Sequence, residues 1–224
     1  MYIPFTLEGA NSLFEKDSEQ RYCTENNRDF LKETALIKTY QYNDVFFRPP
    51  MVSSCVYDFL SGSKETTTPL RYNVYHRNYF IITEGEATVK LVTPDSTKYL
   101  YEYKDYENYE FRSPVNPWDV QPTYRADFAK FKTLELKLVP GKILFIPPYW
   151  WYSIRYDSVS SISTLQYNTY LSMLSLIPTL AIHKLQLLNI KREHIKKADL
   201  EDIPVDISGN NTETNKIEVE DTNT

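Results

Sequence analysis

At 224 residues, with 42% apolar and 15% aromatic content, the chain is long enough for one domain with a sizeable core and too apolar for a disordered segment. Its net charge of −5 is uneven, because residues 199–224 hold eight acidic groups against one lysine and the remainder sits near +2. A nearly neutral body argues against a broad nucleic-acid-binding face. Two cysteines, Cys23 and Cys55, are too few for a disulfide framework and lie outside any CxxC or Cys/His metal spacing; two free thiols are expected, with a single disulfide as the alternative.

In chain order, the first 25 residues are mixed and polar and read as an irregular lead-in. No basic region followed by an apolar run opens the sequence, so a non-secreted protein is expected. "NNRDFLKETALIK" predicts a short helix: Asn27 as the cap, Asp29 at the positive end, and Phe30, Leu31 and Leu36 facing inward. Pro49 and Pro50 stop any continuation. From Val52 to about Tyr170 the pattern becomes short β-runs, "VSSCVYDFL", "LRYNVY", "NYFIIT", "ATVKLVTP", "TLELKLV", "KILFIP", "WYSIRY" and "SISTLQYNTY", broken by polar or Gly-containing punctuation. Nineteen tyrosines against five glycines suit such half-buried strands. Within "YLYEYKDYENYEF", Tyr99, Tyr101 and Tyr103 alternate as one strand face would. The expected architecture is mainly β, closed or sandwiched and antiparallel.

After Tyr170 the apolar period turns helical, at 173, 174, 177, 180, 181, 185 and 188, with Pro178 expected to kink or divide the helix. Pro178, His183 and Lys184 interrupt the apolar run enough that no membrane span is expected. Lys191, Arg192, Lys196 and Lys197 offset the helix dipole. The organisation expected is a lead-in with a short helix over 1–49, a β core over 50–170, a helical region over 171–203 and a disordered acidic tail over 204–224.

Two segments carry the functional signal: "TPLRYNVYHRNYFIITEGEATVKLVTP" and "PGKILFIPPYWWYSIRYDSVSSISTLQYNTY". Together they resemble the Jumonji-C and cupin-like oxygenases, particularly the asparaginyl-hydroxylase branch. The details "TPLRYN", "RNYF", "NPW" and "PPYWWYSIRY" are especially similar to uncharacterised cupin-like proteins of large DNA viruses. The resemblance implies a double-stranded β-helix, a cupin-like jelly roll, with Fe(II) held by an HxD…H triad beside 2-oxoglutarate. It also implies a viral origin, and with it the host cytoplasm or the virion as location. Carried over residue by residue, the triad falls on Arg71, Asn73 and Tyr152, and the usual 2-oxoglutarate lysine on Ala87; Asn78 and the Trp150–Trp151 pair match. An arginine has no lone pair to give a metal. His76 lies an odd number of residues from Arg71 and Asn73, on the other strand face, while His183 and His194 stand eleven apart with no i, i+4 partner.

These residues lead to the expectation of a catalytically inactive binding or structural module with no metal and no cofactor. Its degenerate pocket is lined by Arg71, Tyr72, Asn73, Asn78, Tyr152 and Gln166, and Arg71 either satisfies a buried network or pairs with a small anionic ligand or peptide. Two alternatives stand beside it: a 2-oxoglutarate oxygenase with atypical ligands, and an assembly protein that dimerises through residues 171–197.

Overall fold

A computed structural model describes residues 6–106 and 108–192. The acidic tail, Lys196, Lys197 and His194 lie outside the described residues. Among those described, eleven strands form two antiparallel sheets. One sheet runs β1 (Cys23–Thr24), β2 (Val52–Gly62), β11 (Ser160–Thr169), β4 (Arg77–Glu84), β9 (Ile143–Ile146). The other runs β6 (Tyr103–Asp105), β7 (Glu110–Arg112), β3 (Arg71–Tyr72), β10 (Trp151–Tyr156), β5 (Ala87–Val92), β8 (Leu134–Leu138). This mainly β sandwich is the expected fold class, with helices at both ends.

Alternation along the strands builds the layers. Leu60, Phe80, Ile82 and Ile162 from one sheet meet Ala87, Val89, Tyr152, Ile154 and Tyr156 from the other in a buried core. Ala87, the position of the family lysine, is thus core rather than cavity lining. The outer face of the first sheet is covered by Leu31, with Phe30, Ile37 and Tyr40, over Tyr57, Leu165 and Tyr167. The other outer face holds Leu70, Tyr72, Phe111 and Trp151 beneath Leu176, flanked by Met173 and Leu180. Gly85, at φ +75°, closes the turn between β4 and β5, where a Cβ would meet Ser160 and the Val159 carbonyl.

Several sequence expectations are corrected. The lead-in contains α1 (Leu7–Lys16), capped by Thr6, whose hydroxyl accepts from the Gly9 N–H at 3.2 Å. The helix expected after Asn27 is two, α2 (Arg28–Glu33) and α3 (Ile37–Asn43), separated by Ala35 at φ +59°, and Leu36 is exposed. Asn27 makes no cap bond, because its side chain is spent on the Phe59 carbonyl and Thr24. "LRYNVY" is a strand only at Arg71–Tyr72. The tyrosine row is no strand face: a 3-10 turn runs over Pro94–Tyr99 and Tyr101 takes φ +51° before β6 begins. Pro178 does not divide the last helix, and α5 (Tyr170–Arg192) is continuous. Within it, Tyr170–Leu188 reaches a mean hydropathy of 1.4 over 19 residues, long and apolar enough for a membrane span despite Pro178, His183 and Lys184.

The amino-terminal segment is tied to the sandwich by two carboxylates. Asp17 accepts from the Ser63 hydroxyl at 2.5 Å and from the N–H groups of Glu19, Arg21 and Tyr22. The Ser63 hydroxyl, joined by those N–H groups and opposed by desolvation, lowers its pKa from 3.8 to about 2. A pKa depressed on folding adds stability that is complete above 3.8 and lost as pH falls through about 2. Unfolding free energy measured against pH should therefore decline over that window, and Asp17→Asn should flatten the decline. An unchanged acid limb in the variant would show that Asp17 is not the anchor.

Candidate functional site

The open end of the sandwich holds a cavity of about 720 Å³, with Arg71, Tyr72, Asn73, Tyr152 and Gln166 in its wall. Strand pairing explains why residues 81 apart in the chain meet: β10 runs antiparallel to β3 with Tyr152 directly opposite Arg71. The Arg71 guanidinium lies over the Tyr152 ring, 5.6 Å from its centroid, and the Asn73 amide donates to the Tyr152 hydroxyl at 3.0 Å. From the facing sheet, Thr164 and Gln166 alternate with the outward-facing Leu165 and Tyr167 to reach the cavity. Asn78 pairs with Gln166 across the β4–β11 ladder and shares its interior face, but it is 1% exposed and not part of the cavity wall.

Glu25, which nothing in the sequence pattern marks, completes the group. Its carboxylate forms an ion pair with Arg71, and each side chain is only 14% exposed. Burial works against the Arg71 charge, but Tyr152 and Glu25 more than reverse that and hold its pKa above the ordinary arginine value. Burial raises the Tyr152 pKa, and the Arg71 cation offsets this only in part, so Tyr152 is a neutral phenol at neutral pH. Asp58 fixes the chain beside Glu25 by accepting from the N–H groups of Asn26 and Asn27 at 3.0 and 2.6 Å. Asn26 itself sits at φ +61°. The only sequence-level hint of Glu25 was the arginine itself, since a cation inside an aromatic strand requires a buried acid without saying which.

The chemistry available is that of hydrogen bonding and charge pairing. A guanidinium, a neutral phenol and an amide offer a metal at most weak oxygen donors. Among the described residues no three His, Cys, Asp or Glu side chains cluster as a metal would require. His76 is exposed on the strand approach, and His183 on α5 contacts the Tyr106 carbonyl and the Tyr109 ring rather than the cavity. Cys23 and Cys55 are free thiols. The rim adds Arg28, Asp105, Glu110 and Arg112, of which Arg112 and Glu110 pair with each other.

A family model described as a cupin-like domain matches residues 8–173. Over 97 residues the chain is 33% identical to JmjC domain-containing protein D of Dictyostelium discoideum, covering 42% of this chain and 21% of that protein. Over 99 residues it is 29% identical to Jumonji C domain-containing protein 5 of Drosophila melanogaster, covering 44% and 24%. The chain thus spans about a fifth to a quarter of the length of these relatives. Among solved structures, a cupin superfamily protein from Desulfitobacterium hafniense matches at 11% identity and TM-score 0.31, over 51% of this chain and 68% of that one. The CENP-C cupin domain of Drosophila melanogaster matches at 12% and 0.30, over 53% and 62%.

The geometry ranks two substitutions. Arg71→Met leaves the Glu25 carboxylate buried without its cation and should cost about 3–5 kcal/mol. Tyr152→Phe keeps the ring beneath Arg71 and loses one hydrogen bond, for about 1 kcal/mol. Urea unfolding of both variants checks the order, and equal costs would show that the ion pair does not dominate the site.

Proposed function

Since the chain belongs to the cupin-like domain family, we propose that it is a catalytically inactive member of the Jumonji-C-like group, kept as a binding or structural module. The observation that carries this reading is the Arg71–Glu25 pair set over Tyr152. By resemblance, Arg71, Asn73 and Tyr152 stand where the family's iron ligands stand. A permanent cation there supplies the positive charge that a metal would have brought, and the Glu25 carboxylate neutralises it as it would a metal ion. Tyr152, neutral and hydrogen-bonded to Asn73, is not available as a phenolate ligand. These donors do not fit Fe(II), and no step is derived through iron or 2-oxoglutarate. The likeness to cupin-like proteins of large DNA viruses makes a viral origin part of the same proposal.

Purified protein should carry far less than one iron per chain and release no succinate from 2-oxoglutarate above the buffer control. Stoichiometric iron with succinate production would overturn the reading in favour of an oxygenase with atypical ligands.

One observation favours a second role, assembly through α5. Its inner side places Leu176 against the Trp151 cluster, whereas Leu171, Leu174, Ile177, Ile182, Leu185 and Leu188 are exposed at spacings of three, with one longer step across Pro178. An apolar stripe along one helix suits a helix–helix seam between two copies. Light scattering should give a dimer mass for the native chain and a monomer mass for Leu174→Glu with Leu185→Glu. A native monomer, or a dimer unmoved by the substitutions, would end this role.

A further inference from the structure

We infer that Glu25 is an internal occupant of a carboxylate-binding site, so that the cavity takes a small organic carboxylate when Glu25 moves off Arg71. The inference rests on the reading of the cavity as a binding module. Three observations carry it.

The Arg71–Glu25 contact lies in the wall of a cavity of about 720 Å³, within the size range of small-molecule sites, rather than in a sealed core. The guanidinium is also only partly used: its Nη1 meets Glu25, while its buried Nε, on the other edge of the group, has no hydrogen-bond partner and remains a donor for a carboxylate oxygen. Finally, Glu25 does not belong to the strands that build the cavity. It hangs between β1, a two-residue edge strand, and a left-handed Asn26 held by Asp58, so it can leave without unpairing β3 from β10.

The surroundings narrow the ligand. Asn73, Thr164 and Gln166 offer neutral hydrogen-bonding groups for a polar body beside the charged end. Asp58, Asp105 and Glu110 also face the space and offset Arg28 and Arg112, with Glu110 paired to Arg112, so the lining carries no surplus positive charge for a polyanion such as a nucleotide. A ligand with a single carboxylate and a short polar body fits both conditions.

The contact then acts as an autoinhibitory latch. If the open form is about 1–10% populated, apparent affinity in the native chain is weakened about 10- to 100-fold relative to the open site. The test is lactate binding to the full chain in chelator-containing buffer, followed by ligand-observed NMR and by the shift in Tm. Glu25→Gln and Glu25→Ala should each bind lactate about 10- to 100-fold more tightly than the native chain, and adding Arg71→Met should abolish the gain. Inorganic phosphate should show no comparable gain. A folded Glu25 variant that binds lactate no better than the native chain overturns the inference, as does a gain that survives loss of Arg71. If neither Glu25 variant folds, Glu25 is a purely structural partner and the inference falls. Iron-dependent turnover would contradict the inactive-module reading but leave the lactate gain intact, so the two failures are distinguishable.

Discussion

A guanidinium taken out of water has to be neutralised where it stands, and much of this molecule's architecture follows from meeting that requirement for Arg71. Moving such a charge into a protein interior costs several kcal/mol, recovered only when a counter-ion and hydrogen bonds are well placed. The strands around Arg71 supply an aromatic face, while Glu110 on the neighbouring β7 is paired with Arg112. The acid comes from the amino-terminal segment, which crosses the open end of the sandwich to deliver Glu25. Asp17 on Ser63 and Asp58 on Asn26 and Asn27 hold that crossing in place. Three carboxylates in different chemical settings thus serve one cation.

The sandwich contributes the register. Because β10 pairs with β3 so that Tyr152 faces Arg71, residues far apart in sequence act as one unit. A cation, a neutral phenol and an amide that contact one another make a self-contained network. Its hydrogen bonds and ring contact resemble what a core does to satisfy a buried polar group. The cavity beside it has the dimensions of a small-molecule site.

Much of the fold was legible in the sequence because period-2 alternation survives wherever a strand has one face in the core. "WYSIRY" and "ATVKLV" are strands over the residues their pattern marks. The failures have physical causes. The tyrosine row alternates, yet of its three residues only Tyr103 reaches a strand, since Tyr101 in a left-handed conformation breaks the extended backbone that alternation presumes. The helix after Asn27 breaks at Ala35 for a similar reason. Of the two outcomes Pro178 allows, a kink or a division, α5 is not divided: the helix runs through it, with Leu176 and Leu180 on either side packed against the sandwich. For the site, Arg71, Asn73 and Tyr152 could be read from family order. Glu25 could not, because a contact between an irregular segment and a strand leaves no periodic trace.

Arg71 and Glu25 meet in the cavity wall as an energetically coupled pair. A double-mutant cycle on unfolding free energy, combining Arg71→Met with Glu25→Gln, measures that coupling directly. A coupling of about 2–3 kcal/mol is expected, with the double variant more stable than Arg71→Met alone. A coupling within about 0.3 kcal/mol of zero would contradict it.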